Sequence, residues 1–167
     1  EYIRDGLDYG EWFSNFLHMM VDKVPSEIHN MCTINALCLE SLPELLEKIL
    51  FFKSASKVYG PKVNYTLNIL RFPSFQSPLV LPPKLRQQAV KRLQQVKQVC
   101  SHFDEMELNH IDRLIDYMDV VETPHSDTFD MPKLHNDFKQ FFTQYDLRRG
   151  KNLTETFPEL AEWYNGL

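Results

Sequence analysis

Two alternating stretches separated by a long helical one constrain this chain more than any other feature. In "EIHNMCTIN" (27–35), Ile28, Cys32 and Ile34 point one way, and His29, Met31, Thr33 and Asn35 point the other. In "NYTLNIL" (64–70), Tyr65, Leu67 and Ile69 are apolar, and Asn64, Thr66 and Asn68 carry amides or a hydroxyl. Alternation with period two is the signature of a strand with one buried and one wet face. Between them "SLPELLEKILFF" (41–52) has the spacing of a helix, with a buried stripe of Leu42, Leu45, Leu46, Ile49 and Leu50. Ser41 and Glu44 are placed for a capping box, and Pro43 is tolerated in a first turn. A strand, a helix and a strand in that order are the alternation of a parallel sheet with a crossover helix. An earlier helical pattern, Trp12, Phe13, Phe16, Leu17, Met20 and Val21, ends before Pro25. The order helix, strand, helix, strand is that of an α/β fold.

Beyond Pro82 and Pro83 the pattern is helical throughout. One stripe runs Leu85, Ala89, Leu93, Val96, Cys100 and Phe103; a second runs Met106, Ile111, Leu114, Ile115 and Met118, opened by Asp104 with Glu107 three residues later. A polar break, "ETPHSDTFD", precedes a third helix from about Pro132 to Tyr145, with an aromatic seam of Phe138, Phe141, Phe142 and Tyr145. We divide the chain into an α/β part, residues 1–83, and a helical extension, residues 84–167.

Several classes of function find no support. The net charge is −5, so nothing global favours nucleic acid. The basic run Lys84, Arg86, Lys91, Arg92 and Lys97 comes without a Gly-rich loop or stacking aromatics and reads as a solvated face. No apolar run approaches the roughly 20 residues of a membrane span. The charged opening "EYIRDGLDYG" does not read as a leader, and the start at Glu1 fits the downstream part of a longer protein. Three cysteines, Cys32, Cys38 and Cys100, are an odd number without metal-box spacing, which suits reduced thiols in the cytoplasm. His125, Asp127, Asp130, His135 and Asp137 match no metal motif and read as a plain loop, so no metal site is expected. Ligands of parallel α/β folds gather at the carboxyl ends of the strands, which here means Thr33 and Asn35 on the first and Asn68 with Arg71 on the second.

Four segments, "EYIRDGLDYGEWFSNF", "CTINALCLESLPELL", "NILRFPSFQSPLVLPPKLR" and "FFTQYDLRRGKNLTETFPEL", together resemble the downstream half of radical S-adenosylmethionine proteins of the twitch-domain type. The most distinctive piece is D-x-x-R-G-x-x-x-x-x-x-F-P-E-L, here Asp146, Arg149, Gly150, Phe157, Pro158, Glu159 and Leu160. The resemblance implies the C-terminal part of a partial (βα)6 barrel followed by a mainly helical extension. It implies a bound S-adenosylmethionine, cleaved reductively at a [4Fe-4S] cluster to a radical that takes a hydrogen atom from the substrate, commonly a peptide or protein among relatives of this type. Carried over by position, Arg4, Thr33, Asn35, Asn68 and Arg71 would line the cofactor or substrate. The family's cluster needs Cys-x-x-x-Cys-x-x-Cys, with one iron left open for the cofactor. No such triplet occurs here, so the cluster would be held by residues outside this chain, and the chain alone would be inactive. An exposed sheet edge would then favour self-association. Two alternatives stand beside this reading: a helical interaction module that docks a partner through Phe138, Phe141, Phe142, Tyr145 and Trp163, and a small-molecule binding domain.

Overall fold

The structure, a computed structural model, describes residues 2–22, 26–99, 101–119 and 130–167. Pro25, Cys100, His125 and Asp127 lie outside the described residues. Helix α1 (Tyr9–Asp22) is followed by strand β1 (Glu27–Ile34), helix α2 (Leu42–Tyr59) and strand β2 (Lys62–Ile69). Helices α3 (Pro83–Val99), α4 (Glu105–Asp119), α5 (Met131–Arg149), α6 (Leu153–Thr156) and α7 (Ala161–Gly166) complete the chain. The strands pair in parallel and in register from Glu27 opposite Lys62 to Ile34 opposite Ile69, which is the arrangement the crossover helix requires.

The sheet has two faces of opposite character. Ile28, Ile34, Val63, Tyr65 and Leu67 are buried towards the helices, with α2 and α4 packed against β2. The other face carries His29, Met31 and Thr33 beside Asn64, Thr66 and Asn68, and it is open at Met31, which is 76% exposed. One apolar cluster joins this unit to the helices, from Leu46 and Leu67 through Leu93, Ile111 and Leu114 to Phe138 and Leu160.

The partial (βα)6 barrel is not what this chain forms: among the described residues the sheet has two strands and the rest is mainly helical. On one side the physical reason lies at the outer edge of β2, which can take no further strand. Lys53 Nζ donates to the Val63 carbonyl at 3.0 Å, Tyr65 N–H donates to Glu107 Oε1 at 3.3 Å, and Arg113 Nη2 donates to the Leu67 carbonyl at 2.6 Å. Side chains of α2 and α4 thus occupy the groups a third strand would need.

Other expectations also shift. Ser41 precedes α2 without a side-chain cap, and its hydroxyl donates to the Cys38 carbonyl at 3.3 Å. On α1 only Phe16 and Met20 are buried, because the helix packs on α2 through the Phe16–Phe52 ring stack at 4.2 Å, and Leu17 and Val21 stay exposed. Gly60 ends α2 where a Cβ would meet the Met20 carbonyl oxygen at 2.9 Å, so the close approach of α1 depends on glycine there. Met106 is 73% exposed and Glu107 is buried in its place. The basic face of α3 is partly engaged: Arg86 is buried and donates to the Leu81 and Met118 carbonyls, Arg92 pairs with Glu40, and Lys97 pairs with Asp112. Helix α5 runs on to Arg149, beyond the end of its aromatic seam, and Phe138 and Phe142 of that seam are buried inside the chain.

Candidate functional site

At the carboxyl end of the sheet Thr33 stands opposite Asn68, and both side chains are exposed. The pair is held by the ladder, which closes with Leu70 N–H donating to the Ile34 carbonyl at 2.8 Å. Beside it a cleft of about 220 Å3 is lined by Asn68, Ile69, Arg71 and Arg113. Two arginines therefore line one small open cleft at the position where parallel α/β sheets present their ligands.

Each arginine is held in place by its surroundings. The Arg71 guanidinium lies 5.3 Å from the centre of the Tyr117 ring, and the Tyr117 hydroxyl bonds Ser77 Oγ at 3.0 Å, which ties the loop after β2 to α4. Ser77 Oγ also accepts from Leu79 N–H at 3.3 Å and so caps the turn Pro78–Val80. Arg113 is steadied by its bond to the Leu67 carbonyl and by His110, whose Nδ1 accepts from Arg113 Nη2 at 3.1 Å. Burial, then the neighbouring Arg113 and His29, push the His110 pKa below its ordinary value, so this ring is neutral and free to accept. Neither Arg71 nor Arg113 forms an ion pair among the described residues, and no carboxylate lines the cleft. Such a site favours an anion, and guanidinium pairs suit a carboxylate or phosphate through charge-assisted hydrogen bonds.

Further back along the same face, His29 Nε2 and Thr66 Oγ1 are 3.2 Å apart and the Asn64 amide donates to Glu27 Oε1. Asn64 Oδ1 is buried without a hydrogen-bond partner, an acceptor left idle at a cost of about 1–3 kcal/mol. The polar flank of β2 is thus divided: Asn68 is available, and Asn64 is spent on the neighbouring strand.

The expected site residues do not all meet. Asn68 and Arg71 line the cleft, and Thr33 stands opposite Asn68 in the ladder without lining it. Asn35 is adjacent in the chain, but its Oδ1 accepts from Leu37 N–H at 2.9 Å and its backbone N–H donates to Cys38 Sγ at 3.1 Å, so it caps the turn Ala36–Cys38. Arg4 is exposed in a turn whose carbonyl accepts from Leu7 N–H, and its neighbours Tyr2, Ile3 and Asp5 are bonded to Tyr145, Arg149 and Lys151. Arg113 and His110 escaped the sequence reading. Their signal was the spacing 110, 113, 117 along α4, a polar stripe that reads as solvent-facing until β2 is placed against it.

Cys32 and Cys38 are free thiols, and burial pushes the Cys38 thiol up to about 11, which keeps it protonated and unreactive at neutral pH. Asp130 caps α5 by accepting from Lys133 N–H at 3.2 Å, and His135 Nε2 donates to the Val80 carbonyl at 2.9 Å. Among the described residues no group of three His, Cys, Asp or Glu side chains could hold a metal ion, and no helix is long and apolar enough to cross a membrane. Compared with protein-family models, curated proteins and solved structures, the chain finds no significant match.

Proposed function

We propose that this chain is the C-terminal portion of a radical S-adenosylmethionine enzyme, contributing a wall of the cofactor or substrate site and a helical cover. The observation that carries the reading is a cleft lined by Asn68, Arg71 and Arg113 at the carboxyl end of two parallel strands, with Thr33 opposite Asn68 in the ladder. A hydroxyl and an amide can hydrogen-bond a ribose diol, and paired guanidiniums can hold the methionyl carboxylate, so the donor set fits S-adenosylmethionine. The cluster does not fit here: the sequence lacks the three-cysteine box, and the described residues offer no metal-binding group. Its ligands belong to residues outside this chain, and no step of the chemistry is assigned to the chain itself. When bound, S-adenosylmethionine supplies the radical that removes a hydrogen atom; the residues named here bind and orient. The reading includes a peptide or protein substrate and a cytoplasmic location, the latter in keeping with Cys32 and Cys38 as free thiols.

Two measurements test it. The coding sequence upstream of Glu1 is expected to contain Cys-x-x-x-Cys-x-x-Cys, and an initiator methionine directly before Glu1 would overturn the assignment. In calorimetric titration of the polypeptide carrying both parts, Arg71→Gln and Arg113→Gln should each weaken S-adenosylmethionine binding about tenfold, the loss of one charge-assisted contact. Decarboxylated S-adenosylmethionine should be insensitive to both substitutions. Equal affinities in all variants would remove the cleft from the site.

A further inference from the structure

The two edges of the sheet are treated differently, and the difference points to an assembly. Lys62 N–H donates to the Ser26 carbonyl and Leu70 N–H to the Ile34 carbonyl, so the even-numbered residues of β1 direct their backbone groups at β2. The N–H and C=O groups of Glu27, His29, Met31 and Thr33 therefore face away from β2. Among the described residues the one hydrogen bond to them outside the strand comes from the Cys38 thiol, 3.8 Å from the Thr33 carbonyl. The β2 edge, by contrast, is closed by Lys53, Glu107 and Arg113.

Proteins blunt exposed edges with proline, bulges or inward lysines. Over Glu27–Ile34 there is no proline and no lysine, and the register runs unbroken, so no bulge. At the middle of this edge Met31 leaves an apolar side chain 76% exposed. The natural complement of such a row is the backbone of another extended strand.

We infer that β1 pairs edge to edge with β1 of a second copy, antiparallel about a two-fold axis through Asn30, giving a four-stranded sheet. The strand is self-complementary in that register. His29 falls beside the second copy's Met31 and Glu27 beside its Thr33, so no like charges are opposed. Ile28 falls beside Cys32 on the core face. The outward backbone groups of residues 27, 29, 31 and 33 meet one another, which is the condition for a hydrogen-bonded antiparallel pair. An axis perpendicular to the sheet keeps the helices of both copies on one side, and an isologous contact closes at two chains.

Light scattering with size exclusion should give twice the chain mass of 19.8 kDa. Hydrogen exchange should show the amides of His29, Met31 and Thr33 protected in a concentration-dependent way. Met31→Pro removes an N–H that takes no part in the β1–β2 ladder, so the variant should be monomeric with an unchanged far-ultraviolet spectrum. His29→Lys/Met31→Lys, which opposes lysines across the axis and leaves the backbone alone, should also be monomeric. A monomeric wild type, rapid exchange of the three amides in a dimer, a dimer that survives the double lysine variant, or a monomeric polypeptide carrying the upstream part with those amides protected, which would give the edge to an upstream strand, would each overturn the inference.

Discussion

Glu107 is the residue on which the sheet and the helices most depend. It is 2% exposed, and its carboxylate accepts from Lys53 Nζ at 2.7 and 2.8 Å, from Tyr65 N–H at 3.3 Å and from Asp104 N–H at 2.9 Å. Its backbone carbonyl also accepts from the Tyr65 hydroxyl at 2.9 Å. Burying an ion pair costs desolvation, and here the cost is offset because the acceptor capacity of the carboxylate is used. Glu107→Ala would leave Lys53 buried without a counter-charge, and a loss of about 3–5 kcal/mol is expected in chemical denaturation. Lys53→Met/Glu107→Leu should lie closer to wild type than either single change. A Glu107→Ala variant unfolding at the wild-type denaturant concentration would show that the pair is not holding the structure. Half of this arrangement was legible: Asp104 and Glu107 have capping-box spacing, and the reciprocal bond from Glu107 N–H to Asp104 Oδ1, 2.9 Å, is present. The other half was not, because Lys53 and Tyr65 lie 54 and 42 residues away and no local pattern encodes such distances.

At the scale of elements, the end of α5 shows a helix outrunning its hydrophobic stripe. The seam stops at Tyr145, yet the helix continues to Arg149 with Leu147 left 74% exposed. Arg148 and Arg149 in the last turn suit the negative end of the helix dipole. Termination falls to Gly150, at φ 61° and ψ 36°, whose N–H donates to the Asp146 carbonyl. A side chain there would meet no atom within 4 Å, so Gly150→Ala is strained by the backbone conformation alone. The expected cost is about 1–2 kcal/mol. For a chain of this size, thermal unfolding should begin about 2–8 °C lower. Gly150→Asn should lose less, and an alanine variant as stable as wild type would contradict the left-handed cap. The same segment holds the most distinctive of the resembling motifs. In the fold Asp146 Oδ2 accepts from Leu153 N–H at 2.8 Å, Arg149 bonds Asp5 at 2.7 Å, and Leu160 is buried. The motif therefore has a structural task of its own, closing α5 onto α6.

Across the whole molecule, the two ends of the chain are each other's partners. The Tyr2 hydroxyl donates to Asp146 Oδ1 at 2.5 Å, the Tyr2 carbonyl accepts from Tyr145 at 2.7 Å and from Lys151 at 2.9 Å, and the Tyr2 ring meets Phe157 edge-on at 5.2 Å. Burial, then the bond to Asp146, raise the Tyr2 pKa above its ordinary value near 10. A group whose folded-state pKa is raised contributes stability that is complete below the unfolded-state value and is lost as pH rises beyond it. Wild type should therefore lose stability above about pH 10 more steeply than Tyr2→Phe, which has no proton to release. At neutral pH Tyr2→Phe should cost about 1–3 kcal/mol, since it leaves Asp146 short of a buried partner. Parallel melting curves for the two proteins across this pH range would refute the link between the ends.

What the sequence determined by itself was the set of local units. Two alternating stretches and the helix between them pointed to a parallel strand–helix–strand unit, since a strand's period and a crossover's length are properties of the backbone. The polar flank ending in Thr33 and Asn68 was legible for the same reason. Tertiary structure alone decided what those units meet: that Lys53, Glu107 and Arg113 seal the edge of β2, that Arg113 joins Arg71 at the cleft, and that Tyr2 seats against Asp146. These pairings join residues tens of positions apart in the chain. They are selected by desolvation and by the need to satisfy most buried donors and acceptors, which only the assembled core imposes.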